Sequence, residues 1–161
     1  MSKGGNGKKS NARSGAKAKK HIFERENLML MLYQMDFMQD FSKAAYGRYL
    51  SDLEQETGMS GDLSPYFYNM YETITENMEE IDGIIESHSV KWKIGRMPRV
   101  DVSIMRIAVA ELKFRDDIPP AIAVNEAVEL AKKYSTDNSP RFINGLLAGV
   151  IKETEIREKE E

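Results

Sequence analysis

Three observations predict an all-α fold, a compact bundle of six to seven helices, for this chain of 161 residues. Apolar residues recur at spacings of three and four through most of the sequence, the periodicity of amphipathic helices. Serine or proline opens several of these stretches, as residues that cap or pre-set a helical first turn do. No stretch alternates polar and apolar residues, and no Asn-Gly or Asp-Gly pair joins two such runs as a hairpin turn.

The composition, 41% hydrophobic and 30% charged, is that of a soluble globular chain of one domain. Cysteine is absent, which excludes disulfides, a thiolate zinc site and a thiol nucleophile, and fits a reducing cytoplasm. No apolar run is long enough to span a bilayer and no signal-peptide pattern opens the chain, so the sequence predicts a cytoplasmic protein with no membrane partner.

Residues 1–20 contain Lys3, Lys8, Lys9, Arg13, Lys17, Lys19 and Lys20 and no acid. With the arm's +7 removed from the total of −3, the remaining chain carries −10. Gly, Ser, Asn and Lys dominate the arm without apolar periodicity, which predicts disorder in the free protein. A basic arm on an acidic body suits a nucleic-acid binder with a separate protein-binding face, and an ordinary solubilising tail is the competing reading.

From Ile22 to Met38 the spacing predicts a helix with Leu28, Leu32 and Met35 on one face and Met31, Met35 and Met38 on the next. So broad an apolar surface places it at the centre of the bundle, with its methionines as core filling. Residues 39–63 are less patterned. Ser42 caps a helix carrying Tyr46, Tyr49, Leu50 and Leu53, which ends near Gly58 and gives way to a loop. Ser64-Pro65 starts a helix with Phe67, Met70, Tyr71, Ile74 and Met78, ended by Glu79 and Glu80. Ile81, Ile84 and Ile85 form a short helix for which Asp82 is the expected cap. Trp92 and Ile94 are expected in the core, before Gly95 and Pro98 break the chain. Arg99 to Phe114 reads as a helix with Ile104, Ile107, Ala108 and Leu112 inward, closed by Arg115, Asp116 and Asp117.

The last two helices carry the residues best suited to touch a ligand. After Pro119 and Pro120, the apolar residues Val124, Val128 and Ala131 face in, and Asn125, Glu126, Glu129, Lys132 and Lys133 face out. A polar connection follows, and Ser139-Pro140 restarts a helix whose buried stripe is Ile143, Leu146, Leu147 and Val150. Gly145 is expected to allow another helix to approach. The sequence divides into the arm, a helical domain over residues 21–154 and a charged tail over 155–161, frayed helix or disorder.

No catalytic set is present. His21 and His88 have no partner at metal spacing, and GGNGKK at Gly4–Lys9 lacks the strand and helix of a phosphate loop. The acid pairs Glu79-Glu80 and Asp116-Asp117 read as helix-end surface. No cofactor is expected. Binding has more support. Lys17, Lys19, Lys20, Arg25 and Arg141 are candidate phosphate contacts, Phe142 and Tyr33 candidate stacking rings, and Asn144 and Gln34 candidate readers of base edges. Arg141 and Phe142 fall in the first turn of the last helix, at the positive end of its dipole. A core position for Phe142 is the competing reading.

The runs IAVNEAVELAKKY (Ile122–Tyr134) and SPRFINGLL (Ser139–Leu147) resemble the C-terminal signature of the transcription antitermination family NusB. RENLMLMLYQMDF (Arg25–Phe37), IDG (Ile81–Gly83) and VDVSIMRIAVAEL (Val100–Leu112) match the same family in the same order, and the likeness spans roughly residues 21–152. The resemblance implies an all-helical protein that binds the boxA element of nascent single-stranded RNA together with NusE, a small-subunit ribosomal protein. It does so within an antitermination complex on RNA polymerase, mainly during ribosomal RNA transcription. It implies RNA contacts at Arg25, Tyr33, Arg141, Phe142 and Asn144, and NusE contacts at Asp101 and Glu86. For Asp101 a helix N-terminal acid held by the dipole is the equal alternative. The family's consecutive arginines before the first helix are replaced here by His21, Ile22 and Phe23, with the charge displaced upstream to Lys17, Lys19 and Lys20.

Two other readings stay open. One is a protein-interaction or ribosome-assembly module without RNA binding of its own. The other is a stand-alone relative of the N-terminal domain of ribosomal-RNA cytosine methyltransferases, which requires a catalytic domain and cysteine this chain lacks. A homodimer is also open and would cover one of the two faces.

Overall fold

The apolar stripes fold into seven α-helices in the computed structural model, which describes the backbone of residues 5–160 and the side chains of residues 21–155. The helices are α1 (Gly5–Met38), α2 (Lys43–Thr57), α3 (Pro65–Glu76), α4 (Met78–Ser87), α5 (Arg99–Phe114), α6 (Pro120–Tyr134) and α7 (Ser139–Glu160). Short 3-10 turns at Ser60–Asp62 and Ile94–Arg96 join them, and no strand occurs among the described residues.

α1 extends upstream of the expected start at Ile22 into the arm expected to be disordered. Ala12, Ala16, Lys17, Ala18, Lys19 and Lys20 are good helix formers, able to continue a helix nucleated by its packed half. α7 likewise runs into the charged tail. The side chains of Lys17, Lys19 and Lys20 lie outside the described residues.

The central element is α5, not α1. Every residue from Asp101 to Glu111 is buried, and α5 packs against α1, α3, α4, α6 and α7. α1 buries a broad face through Leu28, Met29, Met31, Leu32 and Met35 but leaves Tyr33, Gln34, Phe37 and Met38 exposed. A helix enclosed on all sides buries its polar residues too, so each needs a partner. Arg106 supplies two parallel bonds to Asp82 on α4 (2.8 and 2.9 Å) and a third to Asp36 on α1 (3.2 Å). Arg99 grips the same Asp36 through two nitrogens at 2.7 and 2.8 Å. The hydrogen bond from Arg99, joined by that from Arg106, outweighs burial and holds the Asp36 carboxyl below its ordinary range.

Helix ends follow the sequence in part. The Ser42 hydroxyl accepts from the Ala45 N–H, and Gly58 closes α2 in the left-handed region at φ 68°. Ser64 occupies the position before α3, yet its hydroxyl makes no cap; its own N–H donates to Glu24 of α1 at 2.6 Å. Glu79 and Glu80 do not end α3. They form the acidic first turn of α4, which the helix dipole favours, and Asp82, the expected cap, is drawn off by Arg106. Gly145 is open to solvent, whereas a methyl group at Gly149 would meet the His88 ring at 3.2 Å. His88 is thus no free surface histidine: it packs on α7 and its Nε2 reaches Glu153 at 2.6 Å.

Candidate nucleic-acid interface

The first turn of α7 is built by the connection before it. Ser135 and Ser139 both donate to the Asp101 carboxylate, at 2.5 and 2.8 Å, and Thr136 stands 2.8 Å from Ser139. Each serine has one proton and spends it on Asp101, so the Thr136 hydroxyl is the donor to Ser139. This knot pins the turn between α6 and α7 to the start of α5. Ser139 therefore faces the bundle and does not cap α7 with its side chain.

Asp101 is 2% exposed with both oxygens engaged. The structure corrects its expected role as an acid offered to a partner: it is the clamp that sets the helix start. Glu86, the other expected partner contact, is half-buried and accepts weakly from the Ile94 N–H at 3.4 Å.

With the turn fixed, Arg141 and Asn144 face solvent and Phe142 is half-buried. The Phe142 ring rests on the core on one side and meets Trp92 on the other, with centroids 6.0 Å apart and planes at 44°. Trp92, expected in the core, is 46% exposed. Ile94 and the buried Met97 anchor that loop instead, which frees the indole to lie against Phe142. The sequence signal was present: Trp92 is flanked by Lys91 and Lys93, an unlikely setting for a core position.

Trp92, Arg141 and Phe142 line a groove of about 580 Å³ between the α4–α5 loop and the start of α7, with Asn138, Thr136 and Pro98 among its walls. Arg141 and Lys91 both line it, and neither has an acidic partner among the described residues. By contrast Lys113, Arg115, Lys132 and Lys133 are each paired with a carboxylate.

Arg25 does not join this edge. It is 6% exposed and bonds Glu111 through Nε and Nη2 at 3.2 and 2.8 Å, while the Tyr66 hydroxyl donates to the same carboxylate at 3.1 Å. Burial opposes its charge, but the hydrogen bond and charge of Glu111 prevail and the guanidinium pKa is raised. Burial also pushes the Tyr66 phenol upward. Arg25 thus locks α1 to α5, with its charge already neutralised.

Tyr33 and Gln34 are exposed on α1, in a separate groove shared with Tyr49, Asp52 and Glu56 of α2. Glu26, in the same groove, accepts from Lys133 at 2.5 Å and from the Tyr134 hydroxyl at the end of α6. The part of α1 that follows the arm is therefore fastened beside the helix leading into the Ser139 turn.

Residues 23–152 match the NusB family. The chain belongs to that family. The transcription antitermination protein NusB of Clostridium novyi is 39% identical over 130 residues, covering 80% of this chain and 95% of the relative. That of Agathobacter rectalis is 42% identical over 124 residues, covering 77% and 93%. Among solved structures, T. maritima NusB superposes with a TM-score of 0.70 at 30% identity, covering 82% of this chain and 90% of that one. A crystal structure of antitermination factors NusB and NusE in complex with dsRNA gives 0.69 at 26% identity, covering 84% and 98%. The NusB fold thus accounts for the seven helices, with α5 at their centre. No helix among the described residues is long and apolar enough to cross a membrane.

Proposed function

We propose that this NusB-family chain is a transcription antitermination factor that binds boxA-type single-stranded RNA together with NusE, within the complex that modifies RNA polymerase during ribosomal RNA transcription. It acts by binding, without catalysis, in the cytoplasm. The observation that carries the reading is the edge at the start of α7, where Arg141, with no acidic partner among the described residues, stands beside the half-buried ring of Phe142 and exposed Asn144. A cation for phosphate, a ring for a base and an amide for a base edge are the groups that bind unpaired nucleotides.

Lys17, Lys19 and Lys20 add phosphate contacts from the arm, and Tyr33 and Gln34 extend the surface along α1. Arg25 leaves the phosphate set because Glu111 holds it. The NusE face lies on the α4 side, where Glu86 is the surviving candidate, and a homodimer would compete for one of these faces.

Arg141→Glu tests the reading. Measured by anisotropy of a labelled boxA-like oligoribonucleotide, the variant binds at least tenfold more weakly, since a phosphate contact is replaced by repulsion. Equal affinity in the folded variant removes this edge from the RNA surface.

A further inference from the structure

We propose that Trp92 is a second base platform: the α4–α5 loop and the start of α7 together take one unpaired nucleotide, its base on the exposed indole beside Phe142 and its phosphate on Lys91 and Arg141. This rests on the RNA reading above and adds a residue and a loop that the family signature at Ser139–Leu147 does not contain.

The loop's hold on the core does not depend on the indole. Ile94 and Met97 already hold the loop to the core, and Trp92 remains 46% exposed. An exposed indole forgoes the burial that makes large aromatics stabilising, so a ligand is its natural cover. The Trp92–Phe142 pair is tilted and already in contact, which leaves no gap for a base between the rings. The base stacks on the open indole, and Phe142 buttresses it from the side.

The groove's volume of about 580 Å³ lies within the range of roughly 300–1,000 Å³ found for small-ligand sites. Lys91 and Arg141 line it from different elements, and Lys93 adds an exposed cation in the same loop. The one acid on its wall, Asp101, is committed to Ser135 and Ser139, so no accessible carboxylate on the lining repels a phosphate. The amide of Asn138 is exposed on the same wall and is suited to a base edge. An acidic protein segment would satisfy the cations but leave the open indole face unused, which favours a nucleotide.

Trp92 is the only tryptophan in the chain, so its emission reports directly on the platform. The full-length protein is titrated with a boxA-like single-stranded oligoribonucleotide, following tryptophan emission and, separately, anisotropy of labelled RNA. Emission falls along the same isotherm as anisotropy rises. Trp92→Leu weakens binding about tenfold or more, while Trp92→Phe stays within about threefold, because stacking needs a ring. Circular dichroism gives the folded fraction of both variants at the assay temperature, so the affinities compared are those of folded protein.

RNA that binds without changing the emission, and binds Trp92→Leu as tightly as the parent, overturns the platform and leaves the RNA reading standing. Emission that responds to purified NusE-type protein alone, and not to RNA, assigns the indole to the protein face and overturns it as well. Failure of the parent chain to bind RNA at low salt, even with that protein present, overturns the RNA reading and the platform together.

Discussion

Truncating Phe142 to alanine separates stability from recognition, because the ring does two jobs of different size. Part of it packs on the core beside Trp92. Removing a fully buried phenylalanine costs about 3–5 kcal/mol, so a half-buried ring costs about 2 kcal/mol. Small domains have about 5–15 kcal/mol in hand, so Phe142→Ala stays folded at 25 °C with a lowered melting temperature. The other part of the ring is offered to a base, and losing one stacked base costs about 1–3 kcal/mol, or roughly 5- to 160-fold in Kd. Anisotropy of a labelled boxA-like RNA gives the affinity, and circular dichroism gives the folded fraction at the same temperature. A fully folded variant with unchanged Kd, or a loss of binding matched by loss of folded protein, refutes the stacking role.

Replacing Lys17, Lys19 and Lys20 together by alanine lowers the slope of log affinity against log salt by about 2, at roughly 0.7 per phosphate, without altering sequence preference; an unchanged slope excludes the arm. Arg25→Met strands Glu111 in the interior and destabilises the fold by about 3–5 kcal/mol in urea titrations, while the salt slope of RNA binding stays at the parent value. A stable variant with a shallower slope returns Arg25 to the RNA surface. The Asp36 carboxyl, held below its ordinary 3.8 by Arg99 and Arg106, stabilises the fold above that pH and loses its contribution as pH falls through the lower folded value. Asp36→Asn is therefore less stable than the parent at pH 7, and urea titrations show the gap closing in acid; a gap independent of pH contradicts the ion pair's role.

The helices were legible because their stripes are local, but their ends were less so: α1 begins well before Ile22, and Met78, Glu79 and Glu80 open α4 where the spacing had put the end of α3. What the sequence hid depends on distant partners. Arg25 reads as a surface cation until Glu111, far along the chain, is brought beneath it. Asp101 reads as a helix-start acid until the Ser135 and Ser139 hydroxyls close over it. α5 looked ordinary because Asp101, Arg106 and Glu111 break its apolar pattern, yet all three are buried in paired form. Trp92 reads as a core residue because hydrophobicity ranks an indole inward, yet the lysines on either side belong to an exposed loop. The position of Arg141, Phe142 and Asn144 in the first turns of α7 was legible because the Ser-Pro restart fixes their register.

The cationic and aromatic edge at the start of α7 is proposed to bind single-stranded RNA in concert with NusE. The most direct test is the affinity of the full-length protein for boxA-like RNA across a salt series, with and without purified NusE-type protein. The account predicts tighter binding with that protein present, and affinity that falls steeply with salt in both series at about −0.7 per engaged phosphate. Affinity that is flat in salt, or no binding in either series, contradicts it.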